Sequence, residues 1–94
     1  MSLLFDWDAE KATANARKHG VTFDEASAAF EDALSVTIPD PLHSEDEERF
    51  VLIGCSHRGR LLVVVHTEKG NGIRIISARP ATAKERRYYE ANEK

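Results

Sequence analysis

The stretch RFVLIGCSHRGRLLVVVHTEKGNGIRIISAR, residues 49–79, decides the fold of this chain. It holds three runs rich in valine, isoleucine and leucine, at 49–57, 60–68 and 72–79. The connections between them are short and contain glycine, Arg58-Gly59 and Lys69-Gly70-Asn71. Such runs joined by such turns predict β-hairpins, hence an antiparallel meander. Side chains alternate across a sheet, so register decides which of them share a face. With His57 paired to Arg60, and Lys69 or Glu68 closing onto Gly72 or Ile73, one face carries Phe50, Leu52, Gly54, Leu61, Val63, Val65, Ile76 and Ala78. That face is nearly all apolar and is expected to lie under helices. The other carries Val51, Ile53, Cys55, His57, Arg60, Leu62, Val64, His66, Ile75, Ser77 and Arg79. An apolar floor mixed with titratable groups is how a binding site looks. A bulge in either hairpin overturns the assignment.

Upstream of the meander the pattern is helical. Phe5 and Trp7, two apart, suit a short strand or a staple before Asp8, a good N-cap residue. A first helix is expected over about 9–18, ending where Lys18 and His19 meet the negative end of its dipole and Gly20 takes the left-handed position. Thr22 and Glu25 have capping-box spacing and predict a second helix over about 23–33, with Phe23, Ala26 and Phe30 on its buried face. A strand near 35–38 precedes PDPLHSEDEE, 39–48, whose two prolines and five acids predict a solvated, mobile loop. Downstream, Thr82 and Glu85 repeat the capping-box spacing and predict a last helix to about Asn92.

Charge divides the chain in two. Residues 1–48 hold twelve acids and three bases, whereas 49–94 hold ten bases and four acids. A basic half indicates contact with a polyanion or with an acidic partner; alternatively the halves neutralise each other inside one fold. The 94 residues make one small domain with a single core. The longest apolar run, 61–65, is five residues, far below the roughly 20 that span a bilayer. No membrane association is expected, and a start of MSLLF without basic or signal-like character indicates a cytoplasmic protein. The lone Cys55 reads as a small core side chain. Cys55 and His57 lack two further metal ligands at a recognisable spacing, and Gly70-Asn71-Gly72 lacks the strand-to-helix setting of a phosphate loop, so neither metal nor cofactor is expected.

Five strings, FDWD at 5–8, KHGVTFDEA at 18–26, ERFVLIG at 48–54, GRLLVVVHTEKG at 59–70 and IRIISARPATAKERRYYE at 73–90, resemble the BrnT family of bacterial toxins. The resemblance covers almost the whole chain in matching order and spacing. It implies an α+β, RelE-like fold: a small antiparallel β-meander with two N-terminal helices packed on one face and a C-terminal helix. It also implies a ribonuclease toxin of a type II toxin-antitoxin pair. The partner implied is a ribbon-helix-helix antitoxin that masks the toxin, in a heterotetramer, and represses their operon; operator DNA is then met only through the antitoxin. The family usually has Lys or Arg after Ile-Ser-Ala-Arg, where this chain has Pro80.

The residues agree in type. Metal-free RNA cleavage needs a base for the 2′-hydroxyl proton, a cation for the charge on the phosphate and an acid for the leaving oxygen. Arg79 ends the last strand just before a helix N-terminus, where side-chain charge and backbone amides can hold one phosphate; as a surface arginine it pairs with the acidic loop instead. His66 has the titration range of a base or acid, or else is a hydrogen-bonded structural residue. Arg74 completes the cationic set. Glu85 is either a catalytic carboxylate or a capping partner. Arg60, Lys69, Lys84, Arg86 and Arg87 suit RNA contact or an antitoxin surface, and Tyr89 suits base stacking or, with Tyr88, core contact. His57 is a weaker RNA candidate, and His19 a helix-end residue. A second reading is a degenerate, non-catalytic toxin that binds antitoxin and tunes operator binding.

Overall fold

The computed structural model describes residues 3–40 and 47–92. Strand β1 (Leu4–Asp6) leads to helices α1 (Ala9–His19) and α2 (Phe23–Ala28), and α2 tightens into a 3-10 turn at Ala29–Glu31. Strands β2 (Val36–Pro39), β3 (Arg49–Cys55), β4 (Leu61–Lys69) and β5 (Gly72–Pro80) follow, and α3 (Ala83–Ala91) closes the chain. The second helix is therefore shorter than its sequence pattern predicts. Asp32 leaves helical geometry at φ −72, ψ 114, and its carboxylate accepts from Leu34 N at 2.9 Å. The acidic stretch expected to be mobile falls largely on 41–46, outside the described residues. No described helix is long and apolar enough to cross a membrane.

Strand order is β1-β5-β4-β3-β2. The meander is antiparallel throughout, but β1 joins the edge of β5 in parallel, so the sheet is mixed and not wholly antiparallel. The helices carry the chain from β1 across to the far edge at β2, and the meander then returns to β1. That pairing places Phe5 opposite Ile73 and leaves its ring 5.2 Å from Phe30, edge to face.

The observed register exchanges the face of β4. Cys55 pairs with Leu61, and Ser56 N donates to Arg60 O at 2.8 Å while Gly59 N donates to Ser56 O at 2.9 Å. This is a turn with its last residue left-handed, Gly59 at φ 78, which lengthens the connection beyond the two residues assumed. A slip of one residue inverts every side chain of a strand. The helix face therefore carries Leu62, Val64 and His66, paired with Gly54, Leu52 and Phe50. Leu61, Val63 and Val65 take the opposite face. A bulge at Val65/His66 sets Ser77 opposite Val65 and Ile75 opposite His66, so Ile76 is the extra residue and Ile75 moves to the helix side.

Two cores result. Val21, Phe23, Ala26 and Ala29 pack on Leu52, Leu62, Val64, Ile73, Ile75 and Ala78, with Trp7 and Phe30 beside them. Gly54 lies under the 3-10 turn, where an added Cβ would sit 2.7 Å from Ala29 O. On the other face Tyr89 packs with Ile53, Leu61 and Val63. Burying one such side chain contributes about 1.5–3 kcal/mol, so the helix-covered face carries most of the stability.

Polar pins fix the helices to this frame. Asn15 Nδ2 donates to Val21 O at 2.9 Å and Ala78 O at 2.8 Å, and Ala78 N donates to Asn15 Oδ1 at 3.1 Å. Asn15 thus satisfies the outer edge of β5 where β1 has ended. Pro80 has the same parity as Ala78, so its missing N–H falls on that outer edge and costs no ladder bond. Glu25, 3% exposed, accepts from Ser56 Oγ at 2.8 Å and Arg60 Nε at 2.9 Å. Arg60 Nη2 also donates to Gly20 O at 2.9 Å. The hairpin tip is tied in this way to both N-terminal helices.

Candidate functional site

The open part of the second face runs from α3 towards β1. Its anchor is Arg79, paired with Val63 and hence on the Tyr89 side of the sheet. Thr82 caps α3 and forms a full capping box with Glu85. That cap turns the Glu85 carboxylate back over the end of β5. Arg79 donates to it in a fork, Nη1 to Oε1 at 2.8 Å and Nη2 to Oε2 at 2.7 Å. The Arg79 guanidinium, with the Thr82 amide behind it, holds the Glu85 carboxyl down to about 2 although burial opposes this. A carboxylate so stabilised is a poor proton acceptor near neutrality. Arg79 remains 40% exposed, so its charge still reaches solvent on the open face.

Along the strands from Arg79 the floor is Val65 and Ser77, then a cross-strand row of Arg49, Thr67 and Arg74. Arg74 Nη1 donates to Asp6 Oδ2 at 3.0 Å, and both side chains are about half or more exposed. A cleft of about 690 Å³ opens at this end, lined among others by Asp6, Glu47, Glu48, Glu68, Lys69 and Arg74. Its acids outnumber its bases. Arg74 and Lys69, expected beside a phosphate, therefore stand in acidic surroundings.

Other expected site residues are placed elsewhere. His66 is fully buried on the helix face, opposite to Arg79, because the β4 register differs from the one assumed. Phe30 meets its ring edge-on at 4.8 Å, Phe50 stacks at 5.9 Å, and Nε2–H donates to Glu68 at 2.9 Å. Tyr89 is 9% exposed, and its hydroxyl donates to Asp32 at 2.6 Å; its ring is thus unavailable to a base, while Tyr88 is 44% exposed. Arg60 is committed to Glu25, which it holds at about 2 together with Ser56 and against burial. Lys84, Arg86 and Arg87 are exposed on α3. Cys55 is half-buried beside the second core. Among the described residues no three His, Cys, Asp or Glu side chains converge as a cation site.

Sequence reasoning missed Asn15, Glu25 as a buried hub, and Asp32. Asp32 joins three elements: it accepts from Tyr89 Oη, Cys55 N and Leu34 N. Burial raises its carboxyl, yet these three donors together leave it below the usual range. A signal existed for Glu25, since an acid three residues after Thr22 at a helix start predicts a cap; in the structure it serves the hairpin. Arg49, in the cross-strand row with Thr67 and Arg74, was not among the expected site residues, because its strand was read only for its apolar pattern.

The family model described as "Ribonuclease toxin, BrnT, of type II toxin-antitoxin system" matches residues 7–85. The chain belongs to the BrnT family. The match takes in α1, α2, the whole meander and the Arg79–Glu85 pair. Among solved structures, the BrnT fold here is similar to the crystal structure of the Brucella abortus ribonuclease toxin BrnT, with a TM-score of 0.64 and 22% identity over 87% of this chain and 97% of that one. A search of curated proteins finds no match. BrnT proteins are ribonuclease toxins of type II systems, which imply an RNA substrate and an antitoxin partner.

Proposed function

We propose that this chain is a metal-independent endoribonuclease of RelE-like fold that stops translation in the cytoplasm and is neutralised by a ribbon-helix-helix antitoxin. The observation that carries the reading is the Arg79–Glu85 fork at the junction of β5 and α3, within the segment matched to the BrnT family. Arg79 is aimed by Glu85, and can offer its guanidinium to a phosphate whose charge rises as the substrate's 2′-hydroxyl attacks. Glu85 acts as the positioning residue, because its own carboxyl is held too low to take that proton. The first turn of α3, adjacent to Arg79, adds backbone amides that favour an anion. The antitoxin covers the toxin in a heterotetramer, and operator DNA is met only through it.

The test is incubation of the antitoxin-free chain with RNA in excess EDTA, followed by analysis of the ends. Ends with 2′,3′-cyclic phosphate, lost in Arg79→Ala, are expected. Intact RNA with retained antitoxin binding would replace this reading by a non-catalytic module acting in operon regulation. One observation favours that second reading: His66 is buried on the far face, and Glu85 is locked low, so neither supplies a neutral-range acid or base to Arg79.

A further inference from the structure

The two ends of the sheet differ in charge. At one end the 56–60 turn, the end of β5 and the start of α3 come together: Leu62 pairs with Pro80, and Ala81 N donates to Leu61 O at 2.9 Å. The Arg60 bond to Gly20 O brings the basic last turn of α1, with Arg17, Lys18 and His19, to the same end. Two of the acids there are matched by a base, Glu25 by Arg60 and Glu85 by Arg79, and Asp32 is held by the Cys55 amide and the Tyr89 hydroxyl. Arg58, a second and longer partner of Glu25 at 3.9 Å with its side chain 65% exposed, and exposed Lys84 therefore add to the positive charge of Arg17 and Lys18 at this end. At the opposite end lies the cleft in which Asp6, Glu47, Glu48 and Glu68 outnumber Lys69 and Arg74.

Lys84 also breaks a local rule. It stands in the first turn of α3, where the helix dipole disfavours a cation. Side chains kept against local preference are expected at functional positions. Arg58 stands in an exposed turn that accepts most residue types, and its ion pair with Glu25 is longer than the one Arg60 already supplies.

We infer that single-stranded RNA is held across the turn-and-α3 end of the sheet, with Arg58 and Lys84 contacting phosphates that flank the one at Arg79, and that Lys69 and Arg74 contact none. Arg79 lies opposite Val63, four residues from Gly59, so the turn backbone stands roughly 13 Å from that of Arg79 at about 3.3 Å per residue. Arg58 and Lys84 are positioning residues, and the inference rests on the reading of Arg79 as the phosphate-binding side chain.

The test uses the full chain and a 2′-O-methyl RNA oligonucleotide, which cannot be cleaved, titrated by fluorescence anisotropy over a range of salt. Each lost phosphate contact makes the slope of log K against log salt shallower by about 0.7. Arg58→Ala and Lys84→Ala are expected to show that change and several-fold weaker binding, with Lys69→Ala and Arg74→Ala unchanged. Lys84→Glu is expected to melt at a higher temperature while binding RNA less, a split that a merely structural lysine does not give. Unchanged slopes in the first pair, or shallower slopes in the second pair, would overturn the inference. Cleavage of unmodified RNA in EDTA is scored separately. Binding with these slopes but without cleavage leaves the phosphate end standing and removes the enzyme reading; cleavage whose KM ignores Arg58 and Lys84 does the reverse.

Discussion

One face of the sheet is covered by α1, α2 and the 3-10 turn, and the other by α3 alone. The covered face buries Phe23, Leu62, Ile75, His66, Val21 and Val64 almost completely. Among the described residues of α3 only Tyr89 is buried, and Val51, Val65 and Ser77 beyond it stay half-exposed. On the function proposed above, stability rests mainly on the first face and RNA contact on the open part of the second. Substitutions on the first face should act through folding, and those at the open part of the second, around Arg79, through RNA.

Phe23→Ala should have the largest effect on stability, about 3–5 kcal/mol by urea unfolding, with the rate per folded molecule unchanged. Glu25→Gln comes next. It uncouples α2 from the hairpin tip and leaves Arg60 unmatched, and because Arg60 is partly exposed the cost should be about 2 kcal/mol, below that of a fully buried pair.

Acid sharpens the same contrast. Glu25 and Glu85 are both depressed to about 2 from 4.5. Their contribution is complete above the unfolded value and is lost as pH falls from about 4.5 towards 2. Urea midpoints should fall across that window, and the double variant Glu25→Gln, Glu85→Gln should flatten the fall.

Asn15→Ala strips the outer edge of β5 of its partner and should cost about 1–3 kcal/mol, with faster amide exchange at Ala78. Tyr89→Phe removes the hydroxyl bond to Asp32 and should cost about 1 kcal/mol. Its amide exchange should rise in α3 while that of α1 stays as it was; equal rises in both helices would erase the distinction between the faces.

The elements themselves were legible because their signals are local. Asp8, Thr22 and Thr82 each cap the helix expected of them, and Lys69 closes on Gly72 as its glycine-bearing turn indicates. The faces were not legible in full, for register depends on turn geometry that Arg58-Gly59 does not announce. Ser56 and Arg60 belong to that connection, and this one-residue difference carried His66 from the proposed site into the core. The parallel edge strand was equally hidden, because Leu4, Phe5 and Asp6 are too few to show a partner. Arg79 and Glu85 drew attention because they flank a cap, but their fork is a tertiary fact. The same holds for Asn15, whose role depends on where β1 stops.

The most direct measurement is single-turnover RNA cleavage in EDTA by the wild-type chain, Arg79→Ala and Arg60→Ala, each normalised to its folded fraction. Both arginines fork onto a carboxylate, one on each face. Arg79→Ala is expected to stay folded and lose about 10²–10³-fold in rate, the scale of a lost oxyanion donor, while Arg60→Ala melts earlier and keeps the rate of its folded molecules. An active Arg79→Ala, or a fully folded Arg60→Ala without activity, would contradict the assignment of chemistry to the open face.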